Sequence, residues 1–141
     1  PGMSSVFPQI ISGELPGRII WRDDVCVAML DIRPLRRGHV LVTPISEVDQ
    51  WTELPNDIVT HCMGVAHSIG KAQQKAFAPK RVGLVVAGFE VPHAHIHVVP
   101  IDEMDDLDFS KADPNVDPQE LDWAAEQLRD TLRSDGHSCV V

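Results

Sequence analysis

The chain has 141 residues, enough for one domain with a substantial core. Apolar residues make up 43% and charged residues 23%, the balance of a globular chain and not of a disordered one. Twelve Lys and Arg against 21 Asp and Glu leave a net charge of −9, which argues against nucleic-acid binding through a broad basic surface but leaves room for a small anion held by backbone dipoles.

Pro1-Gly2 ahead of Met3 reads as the remnant of a cleaved tag, and no basic-then-apolar leader is visible. Val6 to Ile11 is a short apolar piece closed by Ser12-Gly13. Arg18–Trp21 and Val25–Asp31 flank the polar Arg22-Asp23-Asp24 and read as a hairpin. Gly38–Pro44 (GHVLVTP) reads as a third strand between Gly and Pro. Asn56 to Phe77 carries Ile58, Cys62, Val65, Ile69, Ala72 and Ala76 at helical spacing, one apolar stripe that predicts a core-facing helix. Pro79 ends it, and His61 and His67 fall off the stripe, as surface residues would. Arg81–Ala87 and Val91–Ile101 read as strands four and five.

Residues 102–117 are acidic and bear proline, which reads as a connector with a solvated charge run. Asp117-Pro118-Gln119-Glu120 then opens a last helix with an N-cap, a first-turn proline and a capping box. Leu121, Ala125, Leu128 and Leu132 face inward in it, and Gly136 stops it. The sum is an α+β fold: a five-stranded antiparallel sheet with its helices on one side. Cys26, Cys62 and Cys139 show no pairing pattern, which fits a reducing cytoplasm. No apolar run approaches the ~20 residues of a membrane helix.

The stretch VPHAHIHVVP at 91–100 concentrates the chemistry. Side chains alternate along a strand, so His93, His95 and His97 share one face while Ala94, Ile96 and Val98 take the other. Three readings of the row compete. The histidines could be ordinary strand residues, a metal-binding His-x-His pair, or a nucleophile with flanking partners for the leaving charge. His39, also on a strand, could lie behind the row and orient one imidazole.

HAHIHVV (93–99) matches the signature of the histidine triad (HIT) family. VFPQIISGELP (6–16), WRDDVCVAMLDIRP (21–34) and RGHVLVTP (37–44) resemble that family's opening segment and first three strands, in order. The resemblance spans about residues 5–101, so the expected organisation is a HIT-like domain over 3–101 and an acidic connector with a C-terminal helix over 102–141.

The resemblance implies a hydrolase or transferase acting at the α-phosphorus of a nucleotide. His95 would attack and form a nucleotidyl-histidine intermediate, and water would release the monophosphate. His93 and His97 would hold the phosphate and the row's geometry, and His39 would support the nucleophile. Asp31 matches the residue that binds ribose hydroxyls, and Val6, Phe7, Ile10, Met29 and Ile32 match the base pocket. Phosphoramidates or adenylates are the expected substrates, with dinucleoside polyphosphate hydrolysis or a weakly active nucleotide-binding regulator as alternatives. A homodimer with a continuous ten-stranded sheet is implied, with no cofactor, nucleic acid or membrane.

Two departures stand out. A zinc site of many relatives opens with Cys-x-x-Cys, where this chain has Ser5-Val6-Phe7-Pro8, and Glu47 stands where a histidine ligand would be. No structural zinc is therefore expected. Phe89 replaces a glutamine before the triad, which puts leaving-group preference in question and makes Glu90 a candidate contact.

Overall fold

The computed structural model describes residues 6–141. Ser5 and the start of the 3–101 unit lie outside the described residues. Val6–Ser12 forms helix α1, Ile19–Arg22 strand β1, Cys26–Leu30 β2, Val40–Pro44 β3 and Asn56–Phe77 helix α2. Arg81–Val85 forms β4, Ile96–Ile101 β5 and Pro118–Ser134 helix α3. The strands make one antiparallel sheet in the order β1-β2-β3-β5-β4. The α+β architecture read from the sequence is the architecture of the chain, and α2 has the bounds its stripe predicts.

The period-two pattern of the strands builds two cores. On one face Ala28, Val40, Val42 and Val98 pack against Cys62, Val65 and Ile69 of α2 and against Leu121, Ala125, Leu128 and Leu132 of α3. On the other face Val27, Met29 and Leu41 pack against Phe7 of α1. The helices are therefore not all on one side. The Val6–Ile11 stretch is a helix, and it covers the face that carries the histidines.

Both ends of α3 follow from its sequence. The Gln119 N–H donates to the Asp117 carboxylate at 2.9 Å, and Gly136 takes φ +93° just past the last turn. His137 N–H and Gly136 N–H donate back to the Leu132 and Arg133 carbonyls, a Schellman closure. The expected capping box is only half made. The Glu120 carboxylate accepts from Arg37 instead, a charge-assisted bond stronger than one to a neutral N–H. Past α3 the chain runs along β1: Arg22 N–H donates to the Cys139 carbonyl and Val141 N–H to that of Ile20. This covers one edge of the sheet, which otherwise offers unpaired donors and acceptors.

The fifth strand is shorter than the sequence suggests. His93 N–H donates back to the Val91 carbonyl around Pro92, a tight turn in which proline has no N–H to contribute to a ladder. Ala94 is held by contacts outside the ladder: its N–H donates to the Val48 carbonyl, and its carbonyl accepts from the side-chain hydroxyl of Thr43 on β3. Only His97 of the three lies on the regular strand, paired with Leu41 on β3 and Val85 on β4.

The connector is not simply solvated. Arg36 bonds both Asp102 and Asp106, the Asp106 carboxylate also accepts from the Asp102 and Glu103 N–H groups, and Asp102 accepts from the Lys80 N–H. Since Leu128 is fully buried in the core that α3 shares with the sheet, Leu128→Ala should lose about 2–5 kcal/mol in urea unfolding as a single transition. A loss below that range, or a separate early transition for α3, would show the helix to be an appendage.

Candidate active site

His39, His93, His95 and His97 are all buried. For side chains with two polar nitrogens each, burial demands partners, and those partners decide where the protons sit. Leu35 N–H donates to His39 Nδ1 at 3.0 Å. A backbone N–H can only donate, so Nδ1 of His39 is the acceptor and Nε2 carries the proton. His39 Nε2–H therefore donates to His97 Nδ1, 2.9 Å away, and His97 keeps its own proton on Nε2. Beside it, the His93 carbonyl can only accept. His95 Nδ1–H donates to it at 2.7 Å, which leaves a lone pair on His95 Nε2. The two rings have centroids 4.8 Å apart and line one cleft. A nucleophilic nitrogen thus stands beside an N–H donor, each set by a backbone group.

This assignment needs neutral rings, and the electrostatics supply them. Burial pulls His39 down to about 3, with repulsion from His97 and His95 adding to it. Burial likewise pulls His97 down to about 4, with His95 adding, and lowers His95 below the ordinary histidine value.

His93 faces away from the cleft: its Nε2–H donates to the Pro44 carbonyl at 2.7 Å, and its Nδ1 has no partner among the described residues. Its backbone carbonyl, not its ring, fixes His95. His39 bonds His97 and not His95, so the support of His95 that the resemblance implies for it would act through His97. Asp31, at the end of β2, accepts the Arg33 N–H on Oδ1, and its Oδ2 lies 3.7 Å from His39 Nε2. Burial raises its carboxyl above the usual range, and Glu90 adds to the rise against the Arg33 N–H.

Phe7 stands edge-on to His95 at 5.0 Å and to His93 at 5.6 Å. Met29, Val6 and Ile10 join Phe7 in the small core beside the triad. Ile32 is 62% exposed and is not part of that cluster; Phe89 is 97% exposed at the mouth of the cleft. Phe109 of the connector packs against His97 at 4.8 Å and His39 at 6.4 Å, so the acidic segment lies over the site of its own chain.

Sequence reasoning passed over Phe109, Thr43 and Gln73. Gln73 is buried off the predicted stripe, and its amide donates to the Gly38 and Val98 carbonyls, tying α2 to the strands on either side of His39 and His97. A lone aromatic in an acidic run and a glutamine beside an apolar stripe were the only signals.

The chain matches the HIT domain over residues 12–104. It is 33% identical to a HIT-like protein of Methanocaldococcus jannaschii over 99 residues, covering 67% of this chain and 77% of that one. The chain belongs to the histidine triad (HIT) family. It is also 33% identical over 129 residues to the adenylylsulfatase HINT3 of Arabidopsis thaliana, covering 88% of this chain but only 58% of that protein. Among solved structures, a zinc-bound histidine triad family protein from Mycobacterium smegmatis superposes with a TM-score of 0.80 at 30% identity, covering 96% of this chain and 98% of that one.

In this HIT protein, at the positions compared with a zinc site, Pro8 has no ligating atom, while Glu47 offers a carboxylate, which can itself ligate zinc. A second group, Asp31, His39 and His97, has ligand atoms near one another, but the facing His39 and His97 nitrogens are already hydrogen-bonded to each other.

The buried neutral rings make stability pH-dependent. Folded values of about 3 for His39 and about 4 for His97 lie below the ordinary 6.5, so the unfolded chain binds more protons in between. Stability should be complete above about pH 6.5 and fall toward pH 4, by about 1.4 kcal/mol per pH unit for each titrating ring. Urea unfolding at pH 7, 6 and 5 should show that fall, and His39→Asn should flatten it. A pH-independent midpoint would contradict the neutral-ring assignment.

Proposed function

We propose that this HIT protein hydrolyses a derivative of a nucleoside monophosphate at its α-phosphorus through a nucleotidyl intermediate on His95. The observation that carries the reading is the pair of fixed protons: a lone pair on His95 Nε2 beside the Nε2–H of His97. A neutral imidazole held in one tautomer is a nucleophile needing no base to activate it.

His95 Nε2 would attack phosphorus, forming a P–N bond as the bond to the leaving group breaks. The leaving group takes that bond's electron pair and gains one proton. Water then attacks phosphorus, gives it a hydroxyl, returns a proton to solvent and restores His95. The net change is one water added across the cleaved bond. His97 Nε2–H would donate to a phosphoryl oxygen as charge develops there, without reorganising. His39 holds that proton in place, and the His93 carbonyl holds the nucleophile's ring. The apolar group of Phe7, Met29, Val6 and Ile10 suits a base, with Ile32 at its margin, and the Asp31 carboxylate suits the two hydroxyls of a ribose. The resemblance to an adenylylsulfatase is in keeping with an adenylate substrate.

Adenosine phosphoramidate mixed with the protein should yield AMP, and His95→Ala should lose at least 1,000-fold in rate, about 4 kcal/mol of barrier. Rapid quenching of the wild type should trap an adenylylated peptide containing His95. AMP release by the alanine variant at the wild-type rate would overturn the mechanism.

We also propose a homodimer through α2 and β4. Met63 and Leu84 are 48% and 41% exposed and line one apolar cleft with Val59 and Val82, and β4 lies at the sheet edge that the C-terminal residues do not cover. Equilibrium sedimentation should give twice the mass of the 15.6 kDa chain, and Met63→Glu should give the single mass. A monomer in the wild type would end this proposal. The free cysteines fit a reducing, cytoplasmic setting, and the acidic balance fits a small-molecule nucleotide better than a nucleic acid.

A further inference from the structure

A second concentration of chemistry-bearing side chains lies on the α2 face of the sheet, away from the face where Phe7 meets His93 and His95. Asp23 sits in the β1–β2 turn, Cys26 opens β2 and His61 lies on α2. One ligand atom from each, a carboxylate oxygen, a sulfur and a ring nitrogen, lies within 4.8 Å of the other two. His61 Nε2 is 2.7 Å from Asp23 Oδ2, and Cys26 Sγ is 3.8 Å from the same oxygen.

The turn itself does not require this convergence. Asp23 Oδ1 accepts the Val25 and Cys26 N–H groups, both at 2.8 Å, and that closes the turn. Oδ2 is left over, and the Trp21 indole N–H donates to it at 2.8 Å on the side shared with His61 and Cys26. An ion pair of Asp23 with His61 accounts for two of the three groups. A buried cysteine is ordinary in a core, but here the sulfur meets a carboxylate and an imidazole.

We infer that Asp23, Cys26 and His61 form a zinc site that ties the β1–β2 turn to α2. It is separate from the histidine row and independent of the hydrolase reading. Thiolate, imidazole and carboxylate make a zinc donor set, whereas calcium and magnesium take oxygen ligands. The Asp-x-x-Cys spacing matches the two-residue spacing of many paired zinc ligands. One thiolate and one carboxylate balance the two charges of the ion. Tetrahedral zinc holds such ligand atoms about 3.3–3.7 Å apart, so His61 need retreat from Oδ2 by only about half an ångström. The His61 side chain is 39% exposed, which gives the ion an entry and water the fourth position. The buried Cys62 thiol lies beside that of Cys26 but falls outside the set of three mutually close groups. On binding, the Cys26 S–H gives its proton to solvent as the sulfur takes the metal. His61 shifts its proton from Nε2 to Nδ1 and coordinates through Nε2.

Cobalt is the probe, since it accepts the same ligands and reports sulfur ligation as a charge-transfer band in the near ultraviolet. The reduced protein titrated with cobalt should show such a band, saturating at one ion per chain, and one equivalent of zinc should abolish it. His61→Ala should weaken cobalt binding about ten-fold or more, the least that loss of even a supporting partner costs many metal sites. His61 is at the helix surface, so this variant spares the core. Zinc should raise the Tm of the wild type and leave that of His61→Ala in place. Cys26→Ser should remove the band, while Cys62→Ser, Cys139→Ser and His67→Ala should keep it. No band at any cobalt concentration, a band that survives His61→Ala at full affinity, or a band lost with Cys62→Ser and kept with Cys26→Ser would each overturn the site. None of these outcomes bears on the chemistry of His95.

Discussion

The proton on His97 is placed by a backbone amide two hydrogen bonds away. Leu35 N–H can only donate, so it forces the tautomer of His39, and His39 forces that of His97. The same logic runs once more through the His93 carbonyl into His95. The first of these chains requires the β3–β5 register that sets Leu41 opposite His97 and brings His39 alongside it, whereas the second is local to residues 93–95. A slip of β5 by one residue would turn His97 to the α2 face, away from His39. The register, the burial of the rings and their neutral state are thus one constraint seen three ways.

Several elements serve that constraint from outside the sheet. Gln73 of α2 spans from the Gly38 carbonyl to that of Val98, so the long helix grips the two strands next to His39 and His97. Gly38 itself has φ +81°, and a Cβ there would come 2.3 Å from the Phe77 ring. The turn that delivers His39 therefore needs glycine for both backbone and space. On the open side, Arg36 clamps the acidic connector, and the clamp holds Phe109 over His97. The connector's acidic residues act on the site through geometry: their charge is spent on Arg36, Lys80 N–H and their own turn.

The site is asymmetric in polarity. One flank is the apolar cluster around Phe7 with Asp31 nearby; the other is the cleft of Phe89 and Phe109 with Glu90. Between them stand two neutral imidazoles. Burial lowers the histidines, and the same burial raises the Asp31 carboxyl, so desolvation governs the titration of the whole site.

Much of this was legible in the residues. Helical spacing marked α2 to its final residue, because one apolar stripe on 22 residues has few other homes. The α3 boundaries followed from Asp117 and Gly136, since capping is local chemistry. The period of two put three histidines under suspicion, and the order of the flanking segments identified the family. Other features could not be read from the chain alone. The shortened β5, the partnership of His39 with His97, the inward turn of His93 and the covering by Phe109 all depend on contacts between residues far apart in sequence. Local spacing determines which side chains can share a face. Which of them donates, accepts or stays buried is decided only when the strands pair, because a proton's place in an imidazole is set by whatever group the fold brings to its other nitrogen.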